Sequence, residues 1–308
     1  MNLNCGDVQM KKILLATDGS PHAEDATWFL AHLPHGDKVE ITVLSVLHVP
    51  TAGSVTGLGD WVDTIMERER QRAIDTFAKI ELMFDGANVK LKHVIQEGHV
   101  SESIVSVAQR EKSDFLVLGA RGHSQVERLM LGSTSDYVAT HANCSVLVVR
   151  PTGIRRANHP IRIAIAYEET GSAEAALEEI AEVRWGAEPD LRIVSALFAG
   201  GIDEAERRKS TERAADKAAD RLRSTAAHVR VESIVHDHIG EGLVRYLEEN
   251  ECDMVVVGET PRTRLGRVLM GSTSRFVLRH APCSVWITRN RMLQGYPKKT
   301  PHAETAST

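Results

Sequence analysis

Residues 113–150 align with residues 252–289 without a gap, and 15 of the 38 paired positions are identical. That level of identity marks an internal duplication. It constrains the fold more than any other feature, because whatever unit the first half builds, the second builds again. Weaker echoes extend the repeat backwards. Ile161 to Ala166 follows the pattern of Ile13 to Ala16, and Leu191 to Leu197 that of Ile41 to Leu47, with Ser45 and Ser195 in register. At 308 residues the chain has room for two domains of ordinary size. The polar segment Pro151 to Pro160 reads as the linker, so domains are expected over 1–152 and 158–290. Residues 291–308 are rich in Lys, Pro, Thr and Ala and read as a disordered tail.

The first unit alternates strands and helices. Lys12 to Thr17 is a short apolar strand, and Ser20-Pro21 reads as an N-cap followed by proline at the first helical position. Ala26, Phe29, Leu30 and Leu33 then recur on one helix face. Strands are expected at Val39 to Val49, Val89 to Ile95, Phe115 to Leu118 and Ser145 to Val149. Helices are expected at Trp61 to Phe84, Ser103 to Arg110 and Thr134 to His141. Such alternation implies a parallel sheet with helices on both faces. Ligands of these sheets bind outside the carboxyl ends of the strands. Asp18, Val49 and Gly119 all fall there.

Composition narrows the function. A hydrophobic content of 42% with 26% charged residues describes a soluble globular protein. A net charge of −5 gives no basic footprint for nucleic acid. No apolar run is long enough for a membrane helix, and the opening MNLNCGDVQMKK lacks the apolar core of a secretory signal. Four cysteines without a C-x-x-C pattern make neither a disulfide framework nor a zinc site, so the expected compartment is the cytoplasm. Cys144 and Cys283 occupy equivalent positions and read as buried, inert thiols, with Cys5 as the reactive one. His236-Asp237-His238 offers two ligands, too few for a metal. No metal site is expected.

The informative stretch is Gly119 to Ser135, GARGHSQVERLMLGSTS, a strand–loop–helix junction. Glycines here permit positive φ and close approach of a ligand to the main chain. The N-terminus of the following helix is an anion site by its free N–H groups and dipole. A phosphate cradle is one reading, and a plain glycine-containing connection the other. There is no G-x-x-x-x-G-K-[ST] loop and no obvious second carboxylate to hold Mg²⁺ or orient water, which favours holding a nucleotide over rapid hydrolysis.

The spacing Gly119-x2-Gly122-x9-Gly132-Ser133, with Asp18 ending the first strand and Leu47-His48-Val49 the second, resembles the ATP-binding motif of the universal stress protein (UspA) family. The resemblance implies two tandem doubly wound, Rossmann-like domains, each a five-stranded parallel sheet of order 3-2-1-4-5. It implies a cytosolic stress-response regulator binding ATP (or AMP or ADP), with or without Mg²⁺, and an unknown protein partner. By that resemblance Asp18 serves the ribose hydroxyls, and Ala16, Thr17 and Val49 the adenine. Gly119, Gly122, Gly132 and Ser133 hold phosphate, with Thr134 and Ser135 near the outer groups. Each also has a plain structural reading: Asp18 as a turn residue, Val49 as core, Ser133 as a helix N-cap. Arg121, His123 or Arg128 neutralises phosphate or forms a solvated face.

In the second copy Asp18 corresponds to Glu168, Val49 to Ala199 and Gly122 to Pro261, whereas Gly258, Gly271, Ser272, Thr273 and Ser274 are retained. Pro261 has no N–H and a fixed φ, and Glu168 would intrude on the ribose space, so weak binding or another ligand is expected there. Arg262, Arg264 and Arg267 offer an alternative anion site or a solvated face. In this family single domains resemble dimers joined through their final strands. The resemblance therefore implies an internal pseudo-dimer joined through Ser145 to Val149 and Ser284 to Ile287, with a homodimer of the whole chain not required. The alternatives in function are a slow ATPase or nucleotidyl-transfer enzyme of related fold, and a scaffold that binds no nucleotide.

Overall fold

A computed structural model describes residues 11–34, 38–48, 59–122, 131–156, 158–168, 170–183, 185–199, 204–261 and 268–289. The first half runs β1 (Lys12–Ala16), α1 (Pro21–His32), β2 (Val39–Leu47), α2 (Gly59–Met83), β3 (Val89–Glu97), α3 (Val100–Glu111), β4 (Phe115–Gly119), α4 (Ser133–His141) and β5 (Ser145–Val149). The second runs β6 (Arg162–Ala166), α5 (Gly171–Ala181), β7 (Gly186–Phe198), α6 (Glu204–Leu222), β8 (Ala226–His236), α7 (Ile239–Glu249) and β9 (Met254–Gly258). It ends with β10 (Thr260–Pro261), β11 (Val268–Leu269), α8 (Ser272–His280) and β12 (Ser284–Thr288).

Ten strands form one sheet in the order β3-β2-β1-β4-β5-β12-β9-β6-β7-β8. Read from either edge inwards, each half has the order 3-2-1-4-5, as the resemblance implies. The central strands are covered on both faces, which is why FLVLG of β4 and SVLVV of β5 are buried at every residue and show no alternation. Local chemistry starts the helices as read: Ser20 Oγ accepts from Ala23 N at 3.3 Å at the head of α1, with Pro21 as its first residue.

The halves meet through their last strands. β5 and β12 pair antiparallel, with Val148 opposite Val285, Leu147 opposite Trp286 and Val146 opposite Ile287. Two apolar layers, one on each face of the sheet, run through both halves. Leu147 and Trp286 share one, and Val148 and Val285 the other. Trp286 is fully buried, its ring 4.7 Å from that of Phe115. The junction is reciprocal in its polar contacts too. Arg150 N donates to Ser284 Oγ at 3.1 Å, and Arg289 N to Ser145 Oγ at 2.7 Å. The internal pseudo-dimer is thus a continuous sheet and core.

Three details differ from the sequence reading. α4 begins at Ser133, and Gly132 stands at its N-cap, so Ser133 is not the cap. The linker is not a free polar spacer: Ile154–Arg156 forms a single 3₁₀ turn, and Arg155 Nη1 donates to Asp25 Oδ1 at 2.8 Å beside the Trp28 ring of α1. The second half also forms the antiparallel pair β10–β11 after β9, with Pro261 opposite Val268. Two-residue strands leave no periodic signal to read.

Candidate functional site

The carboxyl ends of β1 and β4 and the N-terminus of α4 enclose a cleft of about 310 Å³. Its walls include Ala16, Thr17 and Asp18 from the end of β1, Gly119, Arg121 and Gly122 from the end of β4, and Thr134 and Ser135 from α4. Gly132 and Ser133 adjoin these walls at the start of α4 without lining the cavity. Val49, His123 and Arg128 lie outside the described residues. The sequence reading missed the apolar floor of Leu44, Val46, Leu118, Val100 and Ile104. The last two come from the first turns of α3, where their four-residue spacing was the available signal.

At β1 the chain makes a tight turn. Asp18 Oδ1 accepts from Ser20 N at 3.0 Å, and Thr17 Oγ1 from Gly19 N at 3.2 Å, with Gly19 at φ +73°. The turn role of Asp18 is therefore present. It occupies one carboxylate oxygen. The other, Oδ2, faces Gly122: a Cβ built on Gly122 would overlap it. Glycine at 122 is what leaves room for the acid.

The cradle glycines correct one expectation. Gly119, Gly122 and Gly132 do not adopt positive φ. Space, not backbone freedom, calls for glycine here. A Cβ on Gly119 would lie 2.7 Å from the carbonyl oxygen of His22 on α1. One on Gly132 would lie 3.2 Å from Ala120 O, the carbonyl to which Gly132 N donates at 2.9 Å. Ser135 is buried and donates its hydroxyl to Gly119 O at 2.8 Å, which pins α4 to the end of β4. α4 has no side-chain cap at Gly132, so its first N–H groups remain available to an anion.

The second half repeats the scaffold and alters the contents. Its cleft, about 220 Å³, is lined by Glu168, Gly258, Gly271, Ser272, Thr273 and Ser274 together with apolar residues of β6, β7 and α7. A Cβ on Gly258 would come within 2.5 Å of Ser172 O, and Ser274 Oγ donates to Gly258 O at 2.9 Å, matching Gly119 and Ser135. Glu168 is exposed. Ala199 is not among the walls. Ala199 N donates to His236 O at 3.2 Å, and Pro261 is drawn into the β10–β11 pair. The expected conflict at Pro261 through positive φ does not arise, since Gly122 has none. The constraint at Gly122 itself is steric, from Asp18 Oδ2. Arg262, Arg264 and Arg267 lie outside the described residues. At α7, His236 Nδ1 accepts from His238 N at 3.0 Å, and no group of three metal-ligating side chains occurs among the described residues.

A model of the universal stress protein family matches residues 10–150 and again 161–289. The chain belongs to the universal stress protein family. Universal stress protein Rv2624c of Mycobacterium tuberculosis is 26% identical over 291 residues, covering 92% of this chain and 98% of its own. Universal stress protein MJ0531 of Methanocaldococcus jannaschii is 29% identical over 145 residues, 47% of this chain and 85% of its own. Among solved structures, a universal stress protein from Archaeoglobus fulgidus DSM 4304 is similar with a TM-score of 0.61 at 20% identity, covering 91% of this chain and 97% of its own. That likeness extends the tandem fold across both halves. As in Rv2624c, nearly the whole length aligns, so the two-unit arrangement is shared by at least one universal stress protein outside this chain.

Proposed function

We propose that this universal stress protein holds an adenine nucleotide, ATP or its di- or monophosphate, in the first-half cleft and acts as a cytoplasmic nucleotide-responsive regulator. The observation that carries this reading is the facing pair Asp18 and Gly122. A carboxylate at the end of β1, with Oδ2 facing Gly122, suits a sugar diol. The glycine that makes room for it leads towards the uncapped N-terminus of α4, which suits phosphate. The apolar floor between β2 and α3 is suited to a base. Asp18 is the one carboxylate among the described walls, so the chain's own residues are equipped to bind and orient a nucleotide rather than to drive its hydrolysis. Regulation would then pass to a protein partner through the nucleotide-bound state.

A scaffold that binds no nucleotide is the second reading, favoured by the packing roles of Gly119 and Ser135. The two are separated by mass spectrometry of small molecules released on denaturing the purified full-length chain, with calorimetry of ATP binding to wild type and to Asp18→Asn. Adenine nucleotide in the released fraction, and affinity weakened by Asp18→Asn, is the expected result. No released nucleotide and no heat of ATP binding would leave the scaffold.

A further inference from the structure

The two halves place an arginine at the same point of the fold, and only one has a counter-ion. Arg150 follows β5 and Arg289 follows β12, and both are buried. Each reaches across the junction to the carboxyl end of the other half's last helix. Arg150 Nη2 donates to Leu278 O at 2.9 Å. Arg289 Nη1 donates to Ala142 O at 3.1 Å and Cys144 O at 3.2 Å, and Nη2 to Ala139 O. Arg289 adds a bidentate pair with Glu259, Nε to Oε2 at 2.7 Å and Nη2 to Oε1. Arginine and glutamate are 2% and 1% exposed, so the pair closes on itself.

Position 259 corresponds to position 120, where the chain has alanine. Ala120 N donates to Val149 O at 2.8 Å, which makes it the neighbour of Arg150 as Glu259 is of Arg289. No carboxylate replaces the missing one among the described residues. Arg150 Nη1 is buried without a hydrogen-bond partner. The charged group that acts on Arg150 is Arg121, itself a cation in the wall of the first cleft. Burial pushes the Arg150 guanidinium down to about 10, which still leaves it charged at neutral pH. Ala120 is also the residue whose carbonyl holds Gly132 at the head of α4.

We propose that the residue after the fourth strand of each half, Ala120 or Glu259, sets the anion preference of the cleft beside it. Glu259 neutralises Arg289 within the second half. Ala120 leaves the charge of Arg150 to act, through a weakly screening interior, on an anionic group at the start of α4. Arg150 is a positioning and electrostatic residue, not a ligand. The inference rests on the first cleft taking a phosphate-bearing ligand. It explains a preference for that cleft beyond Asp18 and Gly122, because the charge behind each cradle differs by one full unit.

The test uses the full-length chain, with ATP and inorganic pyrophosphate as separate probes in calorimetry. Ala120→Glu copies the arrangement of the second half and should weaken pyrophosphate binding about tenfold or more, the scale of one interior charge. Ala120→Gln has nearly the same shape without the charge and should stay within about threefold of wild type. Glu259→Gln should raise the pyrophosphate stoichiometry from one site to two. Equal weakening by Ala120→Glu and Ala120→Gln would overturn the proposal as a steric effect. So would wild-type affinity in Ala120→Glu, or an unchanged single site in Glu259→Gln. If Ala120→Glu does not fold, the Glu259→Gln stoichiometry decides alone. Wild type that binds pyrophosphate but not ATP would sink the nucleotide reading and leave this one standing. Binding of neither probe by wild type would overturn both.

Discussion

Gly119 and Gly122 lie three residues apart in one loop, yet alanine should do opposite things at the two positions. At Gly122 the new Cβ would overlap Asp18 Oδ2, the far end of a side chain rather than backbone. The carboxylate can rotate away, and φ at 122 is not positive, so alanine meets no backbone strain. Folding stability should change by no more than about 0.5 kcal/mol, since Gly→Ala also restricts the unfolded chain. The displaced carboxylate, however, loses its place at the cleft. A hydrogen bond to a charged group contributes about 1.5–3 kcal/mol, so ATP affinity should fall about tenfold to a hundredfold. At Gly119 the new Cβ would sit 2.7 Å from His22 O and 2.8 Å from its carbonyl carbon. Those atoms belong to the first turn of α1, held by the Ser20 cap, and cannot swing aside. Overpacking of this kind costs about 1–3 kcal/mol. Gly119→Ala should therefore melt several degrees lower, and Gly122→Ala should melt like wild type. Thermal unfolding and ATP calorimetry on the two full-length variants read both quantities. A Gly122→Ala protein with wild-type ATP affinity would refute the role given to the Asp18–Gly122 pair. A Gly119→Ala protein with wild-type stability would refute the packing explanation.

Two further outcomes are expected. In the native chain a thiol reagent should spare Cys144, Cys252 and Cys283 and reach all three only after denaturation; Cys5, the cysteine expected to react, lies outside the described residues. Cys144, Cys252 and Cys283 are buried, and burial pushes Cys144 to about 12 and Cys252 to about 11, with Cys283 higher still, so native labelling of any of the three would contradict the packing. A chain ending at residue 152 would bare the β5 edge and the Phe115 face that Trp286 covers. Amides of Val146 and Val148 should exchange faster in it than in the full chain, or the fragment should dimerise; a monomer with unchanged protection would refute the shared sheet.

The parallel sheet was legible because each buried strand sits between helices of clear period and the whole pattern occurs twice, whereas the strand order came from the family resemblance. The cleft was legible where glycine and acid mark strand ends. Its apolar floor was not, since Val100 and Ile104 look like any helix core positions. The reason for the glycines was misread for a physical cause: sequence cannot separate a glycine needed for positive φ from one needed for space. Gly19, at φ +73°, is the first kind and drew no notice, whereas Gly119, Gly122 and Gly132 are the second. Arg150 and Arg289 were passed over because an arginine that ends an apolar strand usually reaches solvent. Both are instead buried by the neighbouring half, a contact between residues more than a hundred positions apart.

The changes in the second copy are better understood as one event than as scattered decay. Gly258 and Ser274 serve the fold: the glycine lets α5 approach β9, and the serine ties α8 to it. Their persistence therefore says nothing about binding. Positions 168, 259 and 261 are among those that differ, and their counterparts are Asp18 and Gly122 in the first cleft wall and Ala120, whose carbonyl accepts from Gly132 N. Glu168 is exposed, as Asp18 is, and Pro261 belongs by its backbone to the β10–β11 pair. With Glu259 the buried arginine gains an internal partner and needs no charge from outside. On the proposal above, the second cleft therefore has no unbalanced arginine behind it, whereas the first has Arg150.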